Sequence, residues 1–200
     1  MEDSPEISVD QVKDMIENKI RTGCLKDKKY LDAWGEDARR GLIDKTAVLC
    51  LAADPTQILM WSNYANSHKG CCLQFSTKYK LFNRARIVRY PPRYPNVNFL
   101  EVNDPNDNKK NSLFVKTLFR NKAKFWKYER EWRVLGNKPG LYLYEPSALT
   151  GIIFGHRMKS EDKDLIWRLV EKRNLPVQLY QARPWKREFK LQIIPITPKK

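Results

Sequence analysis

Metal-binding side chains are scarce in this chain. Histidine occurs twice, at His68 and His156, and cysteine four times, at Cys24, Cys50, Cys71 and Cys72. Two histidines are too few for a His-based metal cluster, and no C-x-x-C pair exists to begin a zinc site. The adjacent Cys71 and Cys72 point to opposite faces of any strand, so the thiols are expected to be reduced, as in a cytoplasmic protein. The few glycines form no phosphate-cradling loop, and neither H-E-x-x-H nor G-x-S-x-G occurs. No apolar run approaches the ~18 residues of a membrane span. The N-terminus is acidic and polar, unlike a secretory signal. The expectation is a cytoplasmic protein with no metal and no membrane partner.

Acids are also in short supply. There are 23 Asp and Glu against 38 Lys and Arg, a formal charge of +15. Such an excess suits nucleic acid, nucleotides or anionic surfaces. It is concentrated in Arg84, Arg86, Arg89 and Arg93, and in a run from Lys109 to Arg133 that includes Lys116, Arg120, Lys122, Lys124 and Lys127. Tyr90, Tyr94, Phe125, Trp126 and Tyr128 are interleaved, and cations beside stacking rings are what a nucleic-acid groove requires. Arg84, Arg86, Arg89, Lys122, Lys124 and Lys127 are the candidate contacts. For any single stretch, a solvated charged face is the plainer reading.

The 200 residues are enough for a substantial core, burying about 70% of the unfolded surface. Helical periodicity is read over Ser8–Arg21, with Gly23 to end it, and over Lys28–Arg40, Asp54–Ser67, Ser112–Lys127 and Ser160–Arg173. Strands are read at Thr46–Ala52, Cys71–Ser76, Ala85–Tyr90, Val97–Val102, Glu129–Leu135, Leu141–Tyr144, Gly151–Phe154, Val177–Tyr180 and Lys190–Ile196. The apolar run at 46–52 is of the kind found in a central strand, and Asp54-Pro55 is expected to cap the helix that follows. The predicted class is α+β, a single domain with a mixed, mostly antiparallel sheet and flanking helices. Residues 1–45 form a helical segment before an α+β region over 46–200.

Two polar runs stand out. W-S-N-Y-A-N-S-H-K-G spans Trp61–Gly70; on a helix, Trp61, Tyr64, Ala65 and His68 share one face, so a phenol and an imidazole project together. The bland alternative makes the rings core and His68 a C-terminal cap. W-K-Y-E-R-E-W-R spans Trp126–Arg133; on a strand, Glu129, Glu131 and Arg133 share one face and Trp132 lies on the reverse. Paired carboxylates beside an arginine can divide acid and base roles, or they can be cross-strand ion pairs on a surface. His156, after Gly155 at a strand end, is a weaker candidate.

These runs resemble a mostly bacterial family of uncharacterised domains, domain of unknown function 2971. Its W-S-x-Y-A-x-x-H-x-G pattern is matched by Trp61, Ser62, Tyr64, Ala65, His68 and Gly70. Its later elements are matched by Val88, Tyr90, Lys116, Tyr128, Glu129, Glu131, Trp132 and Arg133, and then by Ile152, Ile153 and Gly155. The aromatic strand and N-D-P-F-like segment that usually begin the family do not occur here. A three-residue likeness, Glu129-x-Glu131, is similar to the E-x-E element of mono-ADP-ribosyltransferases. That likeness implies NAD as cofactor, with Glu131 holding the nicotinamide ribose and Glu129 orienting the acceptor. The resulting expectation is an enzyme acting on a nucleotide or nucleic acid. Glu131, Glu129 and His68 would be catalytic, and Tyr64, Arg133, Trp61, Lys116 and Tyr90 would bind substrate. The rival is a non-catalytic nucleic-acid-binding or interaction module, and a toxin or phage-defence role is compatible with either.

Overall fold

The computed structural model describes residues 14, 15, 17–19, 21–23, 27–95 and 116–197. It divides into two compact units, Met1–Ala47 with Asn137–Pro139, and Val48–Gly136 with Gly140–Lys200. In the first, helix α1 runs Lys28–Asp44, four residues longer than its apolar stripe predicts. It begins where the Asp27 carboxylate accepts from Lys29 N at 2.9 Å, which satisfies one otherwise unpaired first-turn amide. Of the predicted helix at 8–21, the described residues 14, 15, 17–19 and 21 are helical, and Gly23 follows with φ +71°.

The second unit is α+β, built on two mostly antiparallel sheets where one was expected. Its strands are β1 (Ala47–Ala52), β2 (Cys71–Phe75), β3 (Arg86–Ile87), β4 (Glu131–Gly136), β5 (Leu149–Phe154), β6 (Gln178–Pro184) and β7 (Leu191–Ile196). They form a three-stranded sheet ordered β1–β4–β3 and a four-stranded sheet ordered β2–β5–β6–β7. Helices α2 (Ile58–Tyr64) and α3 (Ser160–Glu171) belong to this unit. None of the described helices is long and apolar enough to cross a membrane.

The four-stranded sheet carries the core. β5 is its most buried strand, pairing antiparallel with β2 and parallel with β6, and α3 provides the crossover that parallel pairing requires. Alternation along β5 divides the packing. Ile153 lies with Trp61, Ala182 and Leu191, whereas Ile152 and Phe154 lie with Leu149 and Leu179 against Ile166, Trp167 and Val170 of α3. β7 forms one edge and carries Pro195 opposite Tyr180. The hairpin tip between β6 and β7 holds Phe189, 97% exposed.

Several expected elements are shorter or absent. Among the described residues β1 is an edge strand, paired with β4 alone, with an exposed run at Val48–Cys50. The predicted strand at 85–90 retains only Arg86–Ile87 and an isolated bridge between Arg89 and Asn121. Residues 141–144 form no strand: Leu141 and Leu143 are 91% and 88% exposed, while Tyr144 packs edge-on against Phe75 and Phe82. The helix predicted over 112–127 is helical at 116–120 and then gives way to a 3-10 turn at Lys124–Glu129. The expected strand at 97–102 lies outside the described residues.

Helix α2 begins later and stops earlier than its sequence suggests. Asp54 does not cap it; its carboxylate instead closes a turn by accepting from Thr56 N and Oγ1 at 2.9 and 2.7 Å. After Tyr64 the chain turns left-handed at Asn66, Ser67 and His68, with φ of 47°, 51° and 68°. Such conformations are costly outside glycine and persist only where neighbours over-determine them. Here His68 N donates to Trp61 O, Gly70 N to Ala65 O, Gly155 N to Gly70 O and Arg157 N to His68 O. The β5 exit passes so close that a Cβ on Gly155 would lie 2.1 Å from His68 O. Gly155→Ala is therefore expected to lower stability by about 1–3 kcal/mol, the usual cost of overpacking. Urea unfolding of that variant, with Gly41→Ala as a control at an open helical site, measures the effect.

Candidate functional site

The two polar runs meet, but through Tyr64 rather than His68. Tyr64 Oη donates to Glu129 Oε1 at 2.9 Å, and Asn63 Nδ2 donates to Tyr128 Oη at 3.4 Å. Because α2 ends at Tyr64, His68 leaves the helical face that periodicity assigns it. It folds back so that its Nε2 lies 3.0 Å from Ser62 Oγ, and its ring meets His156 edge-on at 4.7 Å between centroids. Tyr64 remains 63% exposed while His68 is buried at 8%. No hydrogen bond or ion pair among the described residues joins His68 to either carboxylate.

Glu129 and Glu131 are the most buried acids of the site, 2% and 4% exposed. Glu129 is not on a strand; it ends the 3-10 turn, and the left-handed Arg130 (φ 47°) turns the chain into β4. That kink, not strand alternation, brings the two carboxylates to one cation. Lys122 Nζ donates to Glu129 Oε2, and to Glu131 Oε2 at 3.1 Å. Arg133 grips Glu131 from the other side, Nε to Oε1 at 2.7 Å and Nη2 to Oε2 at 3.1 Å, and its Nη1 donates to Phe119 O at 2.6 Å. Glu131 N donates to Tyr90 Oη at 2.9 Å. Two carboxylates and two cations thus neutralise one another, as buried charges must. On the reverse face of β4 Trp132 is 38% exposed while Val134 is 3% exposed, so both faces of the strand are partly buried.

Titration follows this pairing. Burial alone would raise Glu131, but the bonds from Arg133, Cys50 and Lys122 hold it below the ordinary carboxylate value. Burial would lower Lys122, and Glu129 and Glu131 raise it instead. Cys50 belongs to an exposed residue, yet its thiol faces Glu131; lost hydration and then that carboxylate push it up to about 11. It is therefore a protonated donor at neutral pH and a poor nucleophile. The Tyr64 phenol is raised by its bond to Glu129 and then by burial. His68 is lowered by burial, then by His156 and Arg157; His156 is lowered by burial, then by Arg157.

The other predicted site residues are scattered. Trp61 is core, 3% exposed, its Nε1 donating to Pro55 O at 2.7 Å. Lys116 is exposed at the start of the described helical residues 116–120. Arg84 donates to Leu135 O and Arg86 to Asn83 O and Ala85 O, while Arg89, Lys124 and Lys127 are exposed. Lys122 belongs to the buried cluster, although sequence places it with the surface cations; its spacing from Glu129 and Glu131 fits no regular element. A separate cleft of about 530 Å³ lies beside it, lined by Pro91, Pro92, Arg93, Tyr94, Pro95, Asn121, Lys122, Ala123, Lys124 and Phe125.

Removing one partner of the cluster leaves a buried charge. Lys122→Met should cost about 3–5 kcal/mol, and pairing it with Glu129→Gln should recover part of that loss in urea unfolding. The pH dependence separates the groups. Glu131, lowered, contributes stability that is present above ~4.3 and lost as pH falls through its folded value; Lys122, raised, contributes below ~10.4 and loses it only above its folded value. The lowered histidines instead erode stability from ~6.5 downward, because the unfolded chain takes up their protons first. A falling thermal midpoint between pH 7 and 5, flattened in His156→Gln, is the expected signature.

No curated protein and no solved structure matches this chain. Residues 60–134, which contain both polar runs and the buried ion cluster that joins them, match the family described as Protein of unknown function (DUF2971), the family those runs resemble.

Proposed function

We propose that this chain binds single-stranded nucleic acid through the cleft between residues 91–95 and 121–125. The observation that carries this reading is the pairing of two exposed rings, Tyr94 at 70% and Phe125 at 82%, with Arg93 and Lys124 in a lining that contains no acid among the described residues. Exposed aromatics give bases a stacking surface without choosing among them, and cations follow the phosphates. The three prolines of the wall hold the backbone stiff, so less freedom is lost when a strand settles. The ion cluster is then a support: it holds Lys122 and the 3-10 turn that presents Phe125 and Trp126. Lys122 Nζ also lies 4.9 Å from the Trp126 ring centroid, a further constraint on that turn.

The enzymatic reading fits less well. An ADP-ribosyltransferase-like reaction needs a carboxylate open to the nicotinamide ribose of NAD. Glu131 is 4% exposed and held by Arg133, Lys122 and Cys50, and Glu129 is 2% exposed and held by Tyr64 and Lys122. These residues do not fit the group. A place in a toxin or phage-defence system suits a binding module equally well.

Fluorescence anisotropy with a labelled single-stranded oligonucleotide tests the proposal. Affinity should fall steeply with salt. Tyr94→Ala and Phe125→Ala should each weaken binding by about 1–3 kcal/mol. Absent binding, or binding indifferent to salt and to both substitutions, defeats it.

A further inference from the structure

Arg86 and Arg89 lie near Arg120 beside the cleft, with no acid between the three among the described residues. Arg86 is on β3, and Arg89 follows, its N donating to Arg120 O at 2.7 Å and its O accepting from Lys122 N at 2.9 Å. These backbone bonds fasten the Arg89 segment to the Arg120 segment. Arg120 is only partly exposed, and its Nε is enclosed without a hydrogen-bond partner among the described residues. Arg86 Nη1 donates to Asn83 O and Ala85 O, and among the described residues its other nitrogens have no acceptor. Among the described residues, none of the three guanidiniums makes an ion pair with a carboxylate; the acids nearby are taken up by Lys122, Arg133 and Arg130.

An enclosed donor without an acceptor is costly, and more so on a cation crowded by two others. Burial, then Arg89 and Arg86, push Arg120 below its ordinary value, the direction such crowding imposes. An anion placed among the three would relieve the crowding and satisfy the orphaned nitrogen together.

We propose that Arg86, Arg89 and Arg120 form a receptor for a phosphate monoester, the terminal phosphate of a strand lying in the neighbouring cleft. The identity of the strand rests on the reading of the cleft as a nucleic-acid site. A monoester carries about −1.5 to −2 at neutral pH and three strong acceptor oxygens, whereas an internal phosphodiester carries a single charge. Three guanidiniums match the former better, and their planar forks suit its oxygens. Chain geometry supports the adjacency. Arg89 is two residues from Pro91 and Arg120 is next to Asn121, and both Pro91 and Asn121 line the cleft.

Anisotropy with three versions of one oligonucleotide tests this: 5′-phosphorylated, 3′-phosphorylated and hydroxyl-ended. One phosphorylated end should bind roughly tenfold more tightly than the hydroxyl-ended strand, and the advantage should fade below about pH 6 as the phosphate regains a proton. Arg120→Gln should erase that preference, whatever its affinity for the hydroxyl-ended strand. Arg89→Gln, at an exposed position, should erase it without disturbing the enclosed nitrogen. Equal affinity for all three strands, or a preference intact in both variants, overturns the proposal. If no oligonucleotide binds, the reading of the cleft fails, and inorganic phosphate decides the receptor alone. A thermal midpoint raised by phosphate in the wild type but not in Arg89→Gln upholds it, and identical shifts overturn it.

Discussion

Much of the second unit depends on the neutralisation of Glu129 and Glu131 inside the protein. Three separate segments supply the carboxylates' partners, α2 through Tyr64, the turn after residue 120 through Lys122 and β4 through Arg133, while Tyr90, after β3, accepts from the Glu131 amide. The bonds from Lys122 and Arg133 are local in sequence, but those to Tyr64 and Tyr90 reach back 65 and 41 residues and form only once the chain is largely assembled. A buried charge tolerates no near miss, so the cluster fixes the register among segments whose own secondary structure is short. β3 has two residues, a length that does not hold itself in place.

The same interaction explains what could and could not be read from the sequence. Strong periodicity was sufficient for the four-stranded sheet and α3, because β5 and the helix stripe bury apolar faces in the ordinary way. Tyr64, Glu129, Glu131 and Arg133 were recognisable as members of one site because their residue types are unsuited to either a surface or a core. Their arrangement was not legible. Strand alternation places Glu129 beside Glu131, and they are indeed neighbours, but through a left-handed Arg130 that no periodicity encodes. Helical spacing puts His68 over Tyr64, whereas three left-handed residues carry it to His156. Lys122 and Arg120 lie in a basic run where every residue looks alike; only long-range pairing separates the buried cation from the crowded one.

The histidine turn and the ion cluster divide the conspicuous residues of the first polar run between them. Trp61, Ser62, His68 and Gly70 serve the crossing with the end of β5, and Asn63 and Tyr64 serve the second run. One short helix therefore ties the four-stranded sheet to the cluster, with its two ends committed to different neighbours. That division accounts for a motif so dense in special residues without requiring each of them to touch a ligand.

The outer strand of the four-stranded sheet has a separate bearing on how this basic protein behaves in solution. β7 would ordinarily present a row of free amides to any passing strand. Pro195, within that edge, has no amide to offer and resists regular pairing. Sheet-to-sheet stacking of molecules along β7 is interrupted at that residue. A chain that keeps exposed rings and strand edges at its surface is thereby protected on one side from growing into a fibre.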